Sequence, residues 1–182
     1  TKSTYRKKPY KINLFIFGTT FGFGFYLGSI HWITNALTFD DNFKFLIPFG
    51  IIMIPLFLSL FFSLITLLVG PFLNFNLSSV ILFAGSLSIS DYVRAKILTG
   101  FPWNLWSYSF SWATEFIQIL DKIGLFAFNL VVITIFTLPA VLLFKNKTPV
   151  KIFSFFFIIS TIFLFYIYGD HSLNQNYKNL RN

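Results

Sequence analysis

Hydrophobic and polar positions along the chain fall into blocks. Residues 12–34, 45–70, 117–144 and 150–169 are apolar blocks with few charges. Each is of the length a helix needs to cross a hydrocarbon core, about 20 residues for about 30 Å. A further block, 77–98, is mixed and carries Ser78, Ser79, Ser86, Ser88, Ser90, Asp91 and Arg94. On a helix, Ser79, Ser86, Ser90 and Arg94 gather on one side, with Val80, Leu82, Ala84, Leu87 and Ile89 on the other. That pattern suits a bundle helix with a polar inner face. It also suits an interfacial helix lying flat. The pattern predicts an all-α, polytopic transmembrane bundle of about five spans, with a re-entrant or interfacial loop around 98–112. A basic segment, 1–11, precedes the bundle, and a polar stretch, 170–182, follows it.

Local signals refine these blocks. A signal peptide does not account for the first one, which is long, lacks a small-residue cleavage site and is followed by further spans. Pro48 and Pro55 lie in the outer half of the second, where neighbours can satisfy carbonyls freed by a kink. Gly18, Gly22, Gly24 and Gly28 recur at spacings that suggest close helix packing. A nucleotide-binding loop would need a strand context that this segment lacks.

Composition supports the membrane class. Of 182 residues, 55% are hydrophobic and 11% charged, against about 25% charged in soluble domains. The 28 phenylalanines belong to a general Phe, Ile, Asn and Lys bias, so no single Phe is a functional signal. The net charge of +8 flanks the spans, which points to lipid headgroups and topology control and away from nucleic acid. Cysteine is absent, so these residues make no disulfide, thiolate metal site or cysteine nucleophile. No metal-ligand spacing occurs, and neither a metal nor a cofactor is expected.

Charge counting leaves the topology open. With five spans and the N-terminus inside, eight basic residues are cytoplasmic and six are outside. If the third block does not span, the split is ten to four, which the positive-inside rule favours. The tight Lys145, Lys147 and Lys151 cluster between two spans argues for five, as does the placing of all six acidic residues outside.

"SDYVRAKILTGFPWNLWSYSFSW" concentrates the chemistry. Asp91 and Arg94 are i, i+3 neighbours and can pair on a helix. Such a pair at the end of a span is costly unless hydrated or functional. Phe101 is pushed towards extended geometry by Pro102, whose φ is fixed, and Gly100 permits a turn. Trp103, Trp106, Tyr108 and Trp112 supply flat amphipathic rings, as an aromatic belt would. The same rings also suit a rigid re-entrant loop that shapes a lipid-chain groove, with Arg94 near a phosphate.

The pattern D-x-x-R-x-x-x-x-x-G-F-P-W followed by S-Y-S resembles the membrane half of bacterial apolipoprotein N-acyltransferases. That family commonly has Glu where this chain has Asp91, and Gly where it has Ser107. "GFGFYLGSIHW" resembles an early span of the family, and "IGLFAFNLVV" the span after the signature, with Gly124 and Asn129 in place. The resemblance covers residues 18 to 169. It implies ping-pong transfer of an acyl chain from a phospholipid donor, through a cysteine thioester, to the amine of a diacylglyceryl-cysteine apolipoprotein acceptor. It implies that the cysteine, a glutamate base and a lysine sit in a nitrilase-like domain outside these residues. The chain is then an internal segment, inactive alone, with no catalytic residue of its own. Its partners would be membrane lipids, the two substrates and its own nitrilase-like domain. It implies a bacterial inner membrane protein with a periplasmic C-terminal end, which selects five spans.

Expected substrate-binding residues are Arg94, Asp91, Phe101, Pro102, Trp103, Tyr108 and Trp32. Arg94 suits a bidentate grip on phosphate, or a structural pair with Asp91. Trp32 and His31 suit the mouth of an acyl groove, or interfacial anchoring. Trp103 and Tyr108 suit packing against acyl chains or the further domain. Glu115 and Asp121 suit a helix N-terminus, Asp170 and His171 a linker, and Asp40 and Asp41 a solvated loop. A transporter or channel subunit, or a non-catalytic docking protein, is the alternative function.

Overall fold

The computed structural model describes residues 10–97 and 104–179, which are all-α. The chain divides into two compact units between Phe72 and Leu73.

In the first unit, α1 (Tyr10–Ile30) and α2 (Ile47–Val69) form a helical hairpin joined by 3-10 turns at His31–Thr38 and Asp41–Leu46. The Asp40 side chain opens the second turn by accepting the Asn42 N–H at 2.9 Å, and Asp41 pairs with Lys44 at the exposed surface. Pro48 sits in the first turn of α2, where its missing N–H has no intrahelical partner to lose. Pro55 lies inside α2 and is buried.

Small residues let the two helices touch. A Cβ on Gly18 would come to 2.7 Å from Ser63 Cα and 2.8 Å from the Phe62 carbonyl oxygen. One on Gly22 would come to 3.0 Å from Ser59 Cα. Hydroxyls finish the seam: Thr66 Oγ1 donates to the Leu14 carbonyl at 2.8 Å, and Thr19 Oγ1 shares a 2.7 Å bond with Ser63 Oγ. Lipid tails are as apolar as leucine, so packing and interhelical hydrogen bonds replace hydrophobic drive here. Phe62 fills the remaining space, its ring centroid 5.2 Å from that of Phe21 and 5.8 Å from that of Tyr26. Gly24 and Gly28 take no part in this seam, since a Cβ on either would meet no atom within 4 Å.

The second unit contains α3 (Leu77–Ile97), α4 (Thr114–Ile117), α5 (Leu120–Thr137), α6 (Ala140–Leu143) and α7 (Thr148–Asn179). The buried stripe of α3 runs through Ser79, Val80, Ala84, Leu87, Ser88, Asp91, Arg94 and Ala95. It contains Ser79 and Arg94 of the line read from the sequence but not the other two: Ser86 and Ser90 sit on its flank, and Ser86 Oγ returns to its own Leu82 carbonyl at 2.8 Å. A serine that bonds its own helix backbone has no need of a partner helix. Val80, Leu138 and Val141 form a core cluster against which Ile158 of α7 packs. Lys151 Nζ and Asn146 Nδ2 donate to the Leu142 and Val141 carbonyls, closing the C-terminal end of α6.

Two features of this unit break the simple span pattern. Gly124 has φ 75° and ψ 167°, a conformation essentially confined to glycine, so the main run of α5 begins after it. The other feature is α7, which does not stop at the polar residues from Asp170 onward. It runs for 32 residues in all, from Thr148 to Asn179, about 48 Å at 1.5 Å per residue. At its exit Tyr168 donates to the Asp121 carboxylate at 3.0 Å, and Gly169 lies against the Glu115 backbone.

Among the described residues, four helical segments are long and apolar enough to cross a membrane: Tyr10–Thr38, Asp41–Phe72, Leu120–Leu143 and Thr148–Lys178. With 21 residues, α3 has the length, but its serines and charges take it out of that group. The large apolar side chains exposed on α2 and α7, Phe57, Phe153, Phe156 and Phe163 among them, suit a lipid environment.

Three glycine-to-alanine variants separate steric fit from backbone strain, read as melting midpoints in one detergent. Gly18→Ala loses about 1–3 kcal/mol by overpacking. Gly124→Ala loses a similar about 1–3 kcal/mol by strain alone, since its Cβ meets open space. Gly24→Ala holds or gains up to about 1 kcal/mol, because alanine favours the helix. Equal midpoints for all three would contradict this account of the seam.

Candidate functional site

The last two turns of α3 place Asp91 and Arg94 one above the other, as i, i+3 spacing requires. Arg94 Nη2 donates to Asp91 Oδ1 at 3.2 Å, and the residues are 1% and 4% exposed. Neither is left to water. The second carboxylate oxygen, Oδ2, accepts from Asn129 Nδ2 on α5 at 2.9 Å. The other end of that amide, Oδ1, accepts the backbone N–H of Ser107 at 3.0 Å. Asn129 is fully buried and Ser107 is 2% exposed. A continuous polar chain thus joins α3, α5 and the 3-10 turn Trp106–Phe110. Tyr92 and Phe126, with ring centroids 5.0 Å apart, add an aromatic contact between α3 and α5.

The turn is aromatic on its apolar side. Phe110 stacks on Phe136 at 6.0 Å and 15°, and meets Phe128 edge-on at 6.2 Å. Trp106 meets Phe136 at 6.2 Å, and Leu105 is buried beside the turn. Asn104, which leads into it, has φ 68°, a left-handed conformation that asparagine tolerates better than most residues. Ser107 Oγ is buried with no hydrogen-bond partner among the described residues.

The expected site residues separate in this geometry. Asp91 and Arg94 are brought together and buried. Tyr108 stands on the turn and is partly exposed. Burial raises its phenol pKa above the ordinary value, with the Arg94 charge pulling the other way. The phenol is therefore neutral near pH 7 and acts as a hydrogen-bond group. Trp32 lies in the other helical unit, half-exposed, its indole N–H donating to the Ser29 carbonyl at 3.1 Å. Phe101, Pro102 and Trp103 lie outside the described residues.

Sequence reasoning assigned no role to Asn129 and read Ser107 only as a departure from a motif. One signal pointed to Asn129: it is the lone strongly polar side chain between Leu125 and Ile133. Such a residue in a lipid-facing helix seeks a partner on another helix. Ser107 is recruited through its backbone, which no side-chain pattern reveals. The arrangement fixes a turn and holds a positive charge against a carboxylate.

The comparisons agree with the signature. The model of the apolipoprotein N-acyltransferase N-terminal domain matches residues 3–138, which take in α1 to α3, the aromatic turn and α5. Similar proteins named apolipoprotein N-acyltransferase come from Rhodopseudomonas palustris (36% identical over 131 residues), Brucella melitensis (31% over 126) and Rickettsia typhi (33% over 137). These alignments cover 69%, 69% and 75% of this chain and 24%, 24% and 27% of the relatives. The chain thus spans about a quarter of the length of the curated relatives it matches. No solved structure matches it significantly. A family model that covers most of the chain, joined by relatives of the same name across three organisms, shows that the chain belongs to the apolipoprotein N-acyltransferase family.

Proposed function

We propose that this chain is the membrane scaffold of an N-acyltransferase. The intact protein moves an acyl chain from a phospholipid to the N-terminal amine of a diacylglyceryl-cysteine lipoprotein. The acyl group passes through a thioester on a cysteine outside these residues. Family membership carries this reading. The absence of cysteine here, with alignments reaching about a quarter of each relative, supports placing the nucleophile elsewhere. We place the protein in a bacterial inner membrane with α3 as the third of five spans, which puts the end of α7 on the periplasmic side. The exposed apolar positions of α3, such as Ile81, Ile89 and Val93, support that assignment.

Within the scaffold, the segment 98–112 forms one wall of the acyl-chain groove. Phe101, Pro102, Trp103 and Tyr108 are its candidate substrate-binding residues, and Trp32, in the other helical unit, is a separate candidate for contact with substrate. The aromatic packing of the turn on Phe128 and Phe136 supports a rigid wall. Arg94 and Asp91 form its base. At 1% exposure, Arg94 acts on substrate through the wall it anchors; a direct grip on phosphate requires the headgroup to displace the atoms that cover it. The transporter alternative has no observation in its favour.

The test uses the full-length protein, with phospholipid vesicles as donor and a diacylated lipopeptide as acceptor. The unsubstituted protein transfers acyl chains, and Arg94→Ala lowers transfer about tenfold or more while membrane insertion persists. Arg94→Lys keeps the charge, loses the planar fork and falls between the two. No transfer by the unsubstituted protein would refute the proposed activity, and unchanged turnover in Arg94→Ala would refute the assignment of Arg94.

A further inference from the structure

The polar chain through Asn129 has a direction. The Ser107 backbone N–H only donates, so the carboxamide oxygen of Asn129 must face it. That leaves the carboxamide nitrogen facing Asp91, which accepts. Turning the amide over would set N–H against N–H on one side and oxygen against oxygen on the other. All members are at most 4% exposed, so no bulk water relieves such a mismatch. Of the other backbone bonds of the turn, Tyr108 N–H to Leu105 and Ser111 N–H to Tyr108 are internal and fix nothing outside it.

We propose that Asn129 is a positioning residue of this protein. Its carboxamide is a directional link that sets the place of the turn Trp106–Phe110, and so of the groove wall, relative to the Asp91–Arg94 pair. The functional consequence rests on the acyltransferase reading above; the link itself rests on geometry. Asn129 acts through the turn and need touch no substrate.

Directionality makes an exchange of groups informative. Asp91→Asn alone sets two amide donors against each other, one from position 91 and one from Asn129. Asn129→Asp alone sets two carboxylates face to face. The double exchange, Asp91→Asn with Asn129→Asp, restores every bond with one donor reversed. The new carboxylate at position 129 accepts from the Ser107 N–H and from the new amide at position 91. The oxygen of that amide accepts from Arg94. Formal charge and bond number are unchanged.

The experiment compares the full-length protein, both single variants and the double variant in membranes. It reads amide hydrogen exchange across residues 104–112, and acyl transfer from phospholipid vesicles to a diacylated lipopeptide. Each single variant exchanges about tenfold faster or more and transfers about tenfold slower or more. The double variant returns to within about threefold of the unsubstituted protein in both readings. If a single variant fails to accumulate, recovery of accumulation in the double variant is the supporting result. A double variant as impaired as the worse single variant overturns the directional link. Faster exchange with unchanged transfer in the single variants overturns the positioning role. If the unsubstituted protein transfers nothing, the acyltransferase reading fails, and the exchange pattern alone decides the link.

Discussion

A carboxylate and a guanidinium sit inside the second helical unit, 4% and 1% exposed, and the rest of that unit is arranged around them. Removing each ion from water costs several kcal/mol, and their attraction offsets this only when the remaining polar atoms are also bonded. One oxygen of Asp91 takes Arg94 and the other takes Asn129. That second bond obliges α5 to lie beside α3. The free end of the amide then obliges the 3-10 turn to bring the Ser107 N–H inward. With the backbone of the turn fixed, Phe110 and Trp106 meet Phe136, and Tyr108 is left partly exposed.

The first unit solves the same problem without ions. Its two helices approach until Gly18 and Gly22 leave no room for a side chain, and hydroxyls of Thr66 and Thr19 bridge the seam. Close contact and short hydrogen bonds are the forces available where lipid competes equally for apolar surface. A hydroxyl costs little to bury when its own helix supplies an acceptor, as the Ser59 carbonyl does for Ser63 and the Leu56 carbonyl for Ser59. The contrast has a functional sense. A seam of small residues makes a plain scaffold, whereas a buried charged network with one bonding direction specifies a single position for a loop.

The helical class and the family were legible in the sequence because both rest on local signals. Long apolar runs reveal themselves by length, and a compact signature around Gly100 to Trp103 needs no folding to be seen. The Asp91–Arg94 pair was legible for the same reason, since three residues along a helix is a neighbour distance. The glycine pattern of α1 was half legible: four glycines suggested close packing, but only Gly18 and Gly22 face α2. Asn129 and Ser107 were not legible as a site. They lie 38 and 22 residues from their partners, Asp91 and Asn129 respectively, and one of them contributes only a backbone N–H. The break at Gly124 was hidden inside the block 117–144 that reads as one span, and the helical state of the residues after Asp170 was hidden by their polarity. Tyr168, just before that stretch, meets Asp121 near the start of the block 117–144, a contact that no local pattern reveals.

The most direct test of the central network is a double-mutant cycle between Asp91 and Asn129. Asp91→Leu, Asn129→Leu and the pair are compared with the unsubstituted protein by reversible unfolding in a membrane mimic. A bond between these two buried groups predicts that the effects fail to add, with a coupling of about 1 kcal/mol or more. Effects that add within about 0.5 kcal/mol would show that the two residues are energetically independent, and would contradict the claim that Asn129 ties the turn to the buried pair.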